Sequence, residues 1–139
     1  MRGTTASPAA GHGPRLGGRP RANGAGVDGS ATLYIVGPVV RFLVTYETPD
    51  DPAAFDRHYR DVHIPLAKQL PGLRRYTVSR NSAPVRGGDA YYLVAELDWD
   101  DMPALKAAFA SPEGQATARD VAELATDGVR GMIFEVEEV

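Results

Sequence analysis

Cysteine is absent from the 139 residues. That excludes disulfides, thiolate catalysis and cysteine-held zinc or iron–sulfur centres together. It suits the cytoplasm, which is the expected location. Long apolar runs are missing too, and nothing approaches the roughly 20 residues that a membrane helix needs, so no membrane partner is expected. Positive charge is not in excess: 15 Lys and Arg stand against 18 Asp and Glu, a net charge of −3. No basic field therefore argues for nucleic acid. The chain also lacks a glycine-rich nucleotide motif, a P-loop and an HExxH helix. Large apolar residues are scarce at the start, where Leu16 and Val27 stand alone among Gly, Ala, Pro and Arg. Such a stretch cannot bury enough surface to offset its ordering entropy. Residues 1–37 are read as a disordered extension and residues 38–139 as one domain. An Arg-rich leader, or a translation start nearer Val36, Val39 or Val40, is an alternative for the extension.

Secondary structure begins clearly at Val39-Val-Arg-Phe-Leu-Val-Thr-Tyr46, a β-branched and aromatic run that follows Gly37-Pro38. Phe42, Val44 and Tyr46 fall on one face, Arg41, Leu43 and Thr45 on the other. Asp51-Pro52 supplies an N-cap and a first helical residue. The helix that follows carries Phe55, Tyr59, Val62 and Leu66 at helical spacing and stops at Pro71-Gly72. A second strand spans Leu73 to Ser82 and a third, the most apolar, Ala90 to Trp99. Asp100 or Asp101 opens a second helix, Ser111 recaps a further helical piece with Val121 and Leu124 facing inward, and Met132 to Val139 is the last strand. Strand, helix, strand, strand, helix, strand is the ferredoxin-like α+β arrangement, an antiparallel four-stranded sheet with helices on one face. The other face carries Val39 and Leu43, with either Tyr91, Leu93 and Leu97 or Tyr92 and Val94. It needs cover, and a homodimer closing sheet against sheet is expected.

Chemically capable groups crowd into the first helix. Pro65 removes a backbone donor and clashes with the carbonyl of Asp61, four residues back, so the helix is expected to bend there. His63 lies just ahead of the bend. Histidine titrates near neutral pH and can take and return a proton on a bound substrate. Tyr59 is one turn earlier on the same face and can donate to a developing oxyanion. His58 and His63 are five apart, about 140° around an ideal helix, so they do not form a metal pair and no metal site is expected; only the bend could bring them together. Tyr91, Tyr92, Trp99 and Phe109 are candidates for an aromatic pocket or ordinary core. Arg74, Arg75 and Arg80 are candidates for a carboxylate clamp or an edge-strand guard.

The run Phe55-x-x-His58-Tyr59-x-x-Val62-His63-x-Pro65-Leu66-x-x-x-Leu70-Pro71-Gly72-Leu73-x-x-Tyr76 resembles the EthD-like family. The likeness extends over about Val39 to Val139, taking in Tyr92, the Phe109 helix and the Ser-Pro-Glu-Gly step after it. It implies a dimeric α+β barrel of ferredoxin-like protomers without a bound cofactor. The family's name comes from an accessory of a bacterial ether-degrading monooxygenase system. Similar barrels include methylmuconolactone isomerases, polyketide cyclases and cofactor-free monooxygenases. In the isomerase-like relatives a histidine of this helix does acid–base work, a role that falls on His63 here. Those relatives also use a cysteine, which this chain does not have.

The expectation is an enzyme doing cofactor-independent acid–base chemistry (isomerase, cyclase or oxygenase class) on a small apolar enolisable or aromatic compound. His63 and Tyr59 are its catalytic candidates; His58, Tyr76, Tyr92 and Phe109 are its substrate-contacting candidates. The alternative is a non-catalytic ligand-binding or accessory protein of an oxygenase system.

Overall fold

A computed structural model describes residues 39–125 and 127–139. The extension expected over residues 1–37 lies outside them. The elements in chain order are β1 (Val39–Tyr46), α1 (Pro52–His58), a π-helical turn (Tyr59–His63), α2 (Ile64–Ala67), β2 (Arg75–Val78), β3 (Leu93–Trp99), α3 (Met102–Ala110), α4 (Pro112–Leu124) and β4 (Val129–Val136). The strands form one sheet in the order β2-β3-β1-β4, every neighbouring pair antiparallel. This is the ferredoxin-like α+β fold.

Local chemistry sets the helix ends. The Asp51 carboxylate accepts from the Ala54 N–H at 3.1 Å, and Asp101, not Asp100, accepts from Ala104 at 2.8 Å. Each satisfies one of the donors a helix start leaves free. Ser111 ends α3 and caps α4, accepting from the Gly114 N–H at 3.0 Å. Gly114 is required there: a Cβ would stand 2.2 Å from the carbonyl oxygen of Ala108.

Two strands are shorter than the sequence suggests. β2 runs only from Arg75 to Val78, although Ser79 still exchanges two bonds with Val94. Asn81 then adopts a φ of +54°, which turns the chain out of the sheet. β3 starts at Leu93 and not Ala90.

The bend expected at Pro65 is a π-helical turn. The Ile64 N–H bonds the Tyr59 carbonyl, five residues back. The wider turn relieves the clash between the proline ring and the Asp61 carbonyl. It also shifts the buried stripe. Phe55, Tyr59, His63 and Ala67 are buried at successive steps of four, whereas Val62 is exposed and Leu66 only half-buried. Three such steps drift about 120° around an ideal α-helix, and the π turn takes up that drift. The expected stripe through Val62 is corrected accordingly.

Strand register assigns the faces. Phe42 pairs with Leu97 and Ile133, Val44 with Ala95 and Gly131, Tyr46 with Leu93 and Val129; Tyr76 pairs with Leu97. These residues share the helix-covered face with the buried Val40 and Trp99. The opposite face carries Arg41, Leu43, Val94, Glu96, Asp98, Met132 and Phe134. Of the two sets left open by the sequence, Val94 lies on the uncovered face, and Leu93 and Leu97 lie under the helices. The uncovered face is not purely apolar. Arg41 makes a two-pronged bond to Asp98, at 2.8 and 3.0 Å, and Glu96 approaches at 3.7 Å. Among the described residues no helix is long and apolar enough to cross a membrane.

Candidate active site

Between the sheet and the helices lies a cavity of about 300 Å³. Its floor is Phe42, Val44 and Tyr46 of β1, Tyr76 of β2, and Ala95 and Leu97 of β3. One wall is Tyr59, His63, Ala67 and Leu70. The other is Phe109 with Thr117 and Val121 of α4. Gly131 lets this space exist, since a Cβ there would come within 2.9 Å of the Phe42 ring. The lining is apolar except for three tyrosine hydroxyls, one threonine and one imidazole, the composition of a small-molecule site.

That imidazole is His63, 5 % exposed. Its Nδ1 lies 2.8 Å from Oδ2 of Asp120, which is itself only 6 % exposed on α4. The carboxylate accepts from Nδ1–H, which leaves Nε2 as the nitrogen free to act toward the cavity. Burial holds the His63 pKa below its ordinary value, against the opposing pull of Asp120. The ring is therefore neutral at pH 7 and can accept a proton. Tyr59 packs against it, ring centroids 5.0 Å apart.

The Tyr59 and Tyr76 hydroxyls are 2.6 Å apart. One donates to the other, so the accepting phenol keeps its own proton available. Burial raises both pKa values, helped for Tyr59 by Tyr76, and raises that of Tyr46 also. All three stay protonated and act as neutral phenols. Tyr46, Phe55 and Tyr59 hold each other edge-on or stacked at 5.4–5.7 Å, fixing the Tyr59 ring.

Of the residues singled out from sequence, His63, Tyr59, Tyr76 and Phe109 meet at this cavity. Tyr92 does not: it packs on Phe55 and donates to Asp56 at 2.8 Å, away from the lining. His58 does not reach the cavity either; its Nε2 lies 2.7 Å from Oδ1 of Asp120. Arg74 pairs with Asp100, and neither Arg75 nor Arg80 lines the cavity. Asp120 is the group that sequence reasoning missed. Its signal was an acidic side chain three residues after Thr117 and four before Leu124, on the inward stripe of a helix, where an acid is rare unless paired. Among the described residues, no group of three or more His, Asp or Glu side chains is arranged to hold a metal ion. A larger hollow of about 520 Å³ runs along Glu47, Asp50, Asp51, His58, Glu123 and Asp127. It is rich in carboxylates and lacks the buried imidazole.

Residues 47–128 match the EthD domain. An 11.0 kDa protein of Rhodococcus erythropolis, encoded in the thcB–thcC intergenic region, is 40% identical over 98 residues, which is 70% of this chain and 94% of that protein. The crystal structure of an EthD family protein from Bacillus halodurans superposes with a TM-score of 0.65 at 36% identity, covering 73% of this chain and 99% of that one. SnoaB, a cofactor-independent oxygenase from Streptomyces nogalater, superposes with a TM-score of 0.52 at 21% identity, covering 75% and 97%. That identity speaks for the shared fold alone. Other solved chains of the same fold are described as dimeric ferredoxin-like proteins.

Proposed function

The chain belongs to the EthD domain family, and from that premise we propose that it is an enzyme acting by acid–base chemistry on a small, mostly apolar, enolisable or aromatic compound. One observation carries the reading: a buried imidazole is paired with a buried carboxylate at the wall of an apolar cavity. His63 and Tyr59 are the catalytic groups; Tyr76 and Phe109 contact the substrate.

The chemistry follows from the geometry. A substrate C–H or O–H made acidic by a neighbouring carbonyl or ring comes within hydrogen-bond reach of His63 Nε2, which removes the proton. The imidazolium that forms is stabilised through Nδ1–H by Asp120. Charge gathers on the substrate oxygen, and the free phenolic proton of the Tyr59–Tyr76 pair donates to it. Return of the proton to another atom completes an isomerisation or a cyclisation. In the oxygenase variant the carbanion adds to dioxygen and takes a proton to give a hydroperoxide, which loses water and leaves a carbonyl; the fold shared with SnoaB supports it. The proton steps use only side chains of this chain. In the same reading the site belongs to a domain of residues 38–139, working in the cytoplasm as a homodimer.

The test is turnover of candidate lactones and polyphenols by purified protein. His63→Ala lowers kcat by about 10²–10⁴-fold; unchanged turnover would sink the proposal. A second reading, a ligand-binding accessory of an oxygenase system, draws support from membership of the EthD domain family. It expects His63→Ala to weaken ligand or partner binding while no variant alters turnover.

A further inference from the structure

The acid–base reading uses one oxygen of Asp120, yet the carboxylate serves two imidazoles. His63 Nδ1 sits 2.8 Å from Oδ2 and His58 Nε2 sits 2.7 Å from Oδ1. The π turn makes this possible. On an ideal helix, rings five residues apart diverge by about 140°; a turn closed by a five-residue hydrogen bond brings them toward the same side. The two rings differ in surroundings. His63 is enclosed at the cavity, whereas the His58 side chain is 33% exposed and lines the outer hollow.

We propose that His58 is a positioning residue of the His63 site: it holds the second oxygen of Asp120, so fixing the carboxylate plane, and its solvent-exchanged charge sets how readily His63 accepts and keeps a proton. The inference rests on the reading of His63 as the acid–base group.

The physical argument has two parts. A carboxylate held at one oxygen can rotate about its Cβ–Cγ bond; held at both, it cannot, and the His63 ring it supports keeps Nε2 aimed at the cavity. The second part is charge. While His58 is neutral, the whole carboxylate charge balances the imidazolium on His63. Once His58 is protonated, one carboxylate balances two cations, and His63 gives up its proton more easily. The two rings share one counter-charge, so a charge placed on either is felt at the other. The other groups facing His63 are the hydroxyls of Tyr46 on β1, Tyr59 on the π turn and Tyr76 on β2, which stay neutral in this range. Facing the outer hollow with His58 are the carboxylates of Glu47, Asp50, Asp51, Glu123 and Asp127, which share the space into which His58 exchanges its proton.

The experiment is nitrogen-15 NMR titration of the imidazoles in the full-length chain. The chain has three histidines, so His12→Gln identifies the signals of the other two. Two variants at the proposed position separate its roles. His58→Gln keeps an N–H donor for Oδ1 but cannot titrate; His58→Phe removes both. The wild type shows His63 with its proton on Nδ1 and a two-step titration curve. In His58→Gln the tautomer is retained, the curve becomes single-step and its midpoint moves upward. In His58→Phe the tautomer is no longer held, and turnover falls about 10–100-fold, the scale on which orienting partners act. An identical His63 curve in the wild type and in folded His58→Gln overturns the inference. If His58→Phe does not fold, the glutamine variant decides the matter alone. A His63 curve that responds to His58 in a protein whose turnover ignores His63 upholds the coupling and removes the catalytic reading. Turnover that needs His63, with a curve indifferent to His58, removes this inference only.

Discussion

At the scale of single residues the site turns on Asp120, one carboxylate shared between two imidazoles. Asp120→Asn keeps the size but replaces one acceptor oxygen with a donor amide, so the His63 tautomer is no longer fixed and the imidazolium loses its counter-charge. The expected result is a fall in kcat of about 10²–10⁴-fold, with far-UV circular dichroism unchanged. pH supplies a second test. The folded-state pKa of His63 is lowered by burial, so the unfolded chain binds the proton first as pH falls. The stability that depends on neutral His63 is fully present above the ordinary imidazole pKa and is lost as pH drops from there through the folded-state value. Denaturant midpoints at pH 7.5 and pH 5.5 measure it. The wild type is less stable at pH 5.5 than at pH 7.5, and His63→Gln narrows that gap; a gap that does not narrow refutes the assignment.

At the scale of elements the π turn and the α3–α4 junction do the positioning. Pro65→Ala restores a backbone N–H and removes the clash with the Asp61 carbonyl, so a regular α-helix becomes accessible. Helix stability is then retained or improved, while His58 and His63 rotate apart and Asp120 can no longer hold both. The expected outcome is an unchanged or higher Tm with reduced turnover, read by calorimetry beside the activity assay. At the junction the sense is opposite. Gly114→Ala places a methyl group against backbone oxygens of Ala108 and Phe109, at 2.2 and 2.6 Å, and backbone cannot move aside as a flexible side chain can. A loss of about 3 kcal/mol in denaturant unfolding is expected, and with it the angle at which α4 delivers Asp120.

At the scale of the whole molecule the sheet has one face under helices and one without. Met132, on the second, is 58% exposed, near Leu43 and Phe134, with the Arg41–Asp98 pair beside them. A mixed apolar and ion-paired face of this kind fits a self-complementary contact, as in a two-fold dimer. If the proposed homodimer uses it, Met132→Glu buries a charge at the contact, and the species seen by light scattering shifts from dimer to monomer. An unchanged mass in that variant places the contact elsewhere.

The order of elements, the helix caps at Asp51 and Ser111, and the antiparallel ferredoxin-like sheet were legible from sequence, because capping, turn residues and two-residue or helical periodicity are local properties of the chain; between Asp100 and Asp101 only the structure chose. That His63 and Tyr59 share one helix face, a turn apart just before a proline, was legible for the same reason, and the structure sets both on the wall of one cavity. Tertiary structure decided the rest. Whether Pro65 makes a kink or a π turn depends on which backbone bonds the surrounding packing lets the helix keep, and that choice moved the buried stripe from Val62 to His63. Asp120 lies 57 residues beyond His63, so no spacing rule could join them. Only the packing of α4 against the π turn brings that carboxylate between the two rings, and only there, shielded from water, can it orient an imidazole.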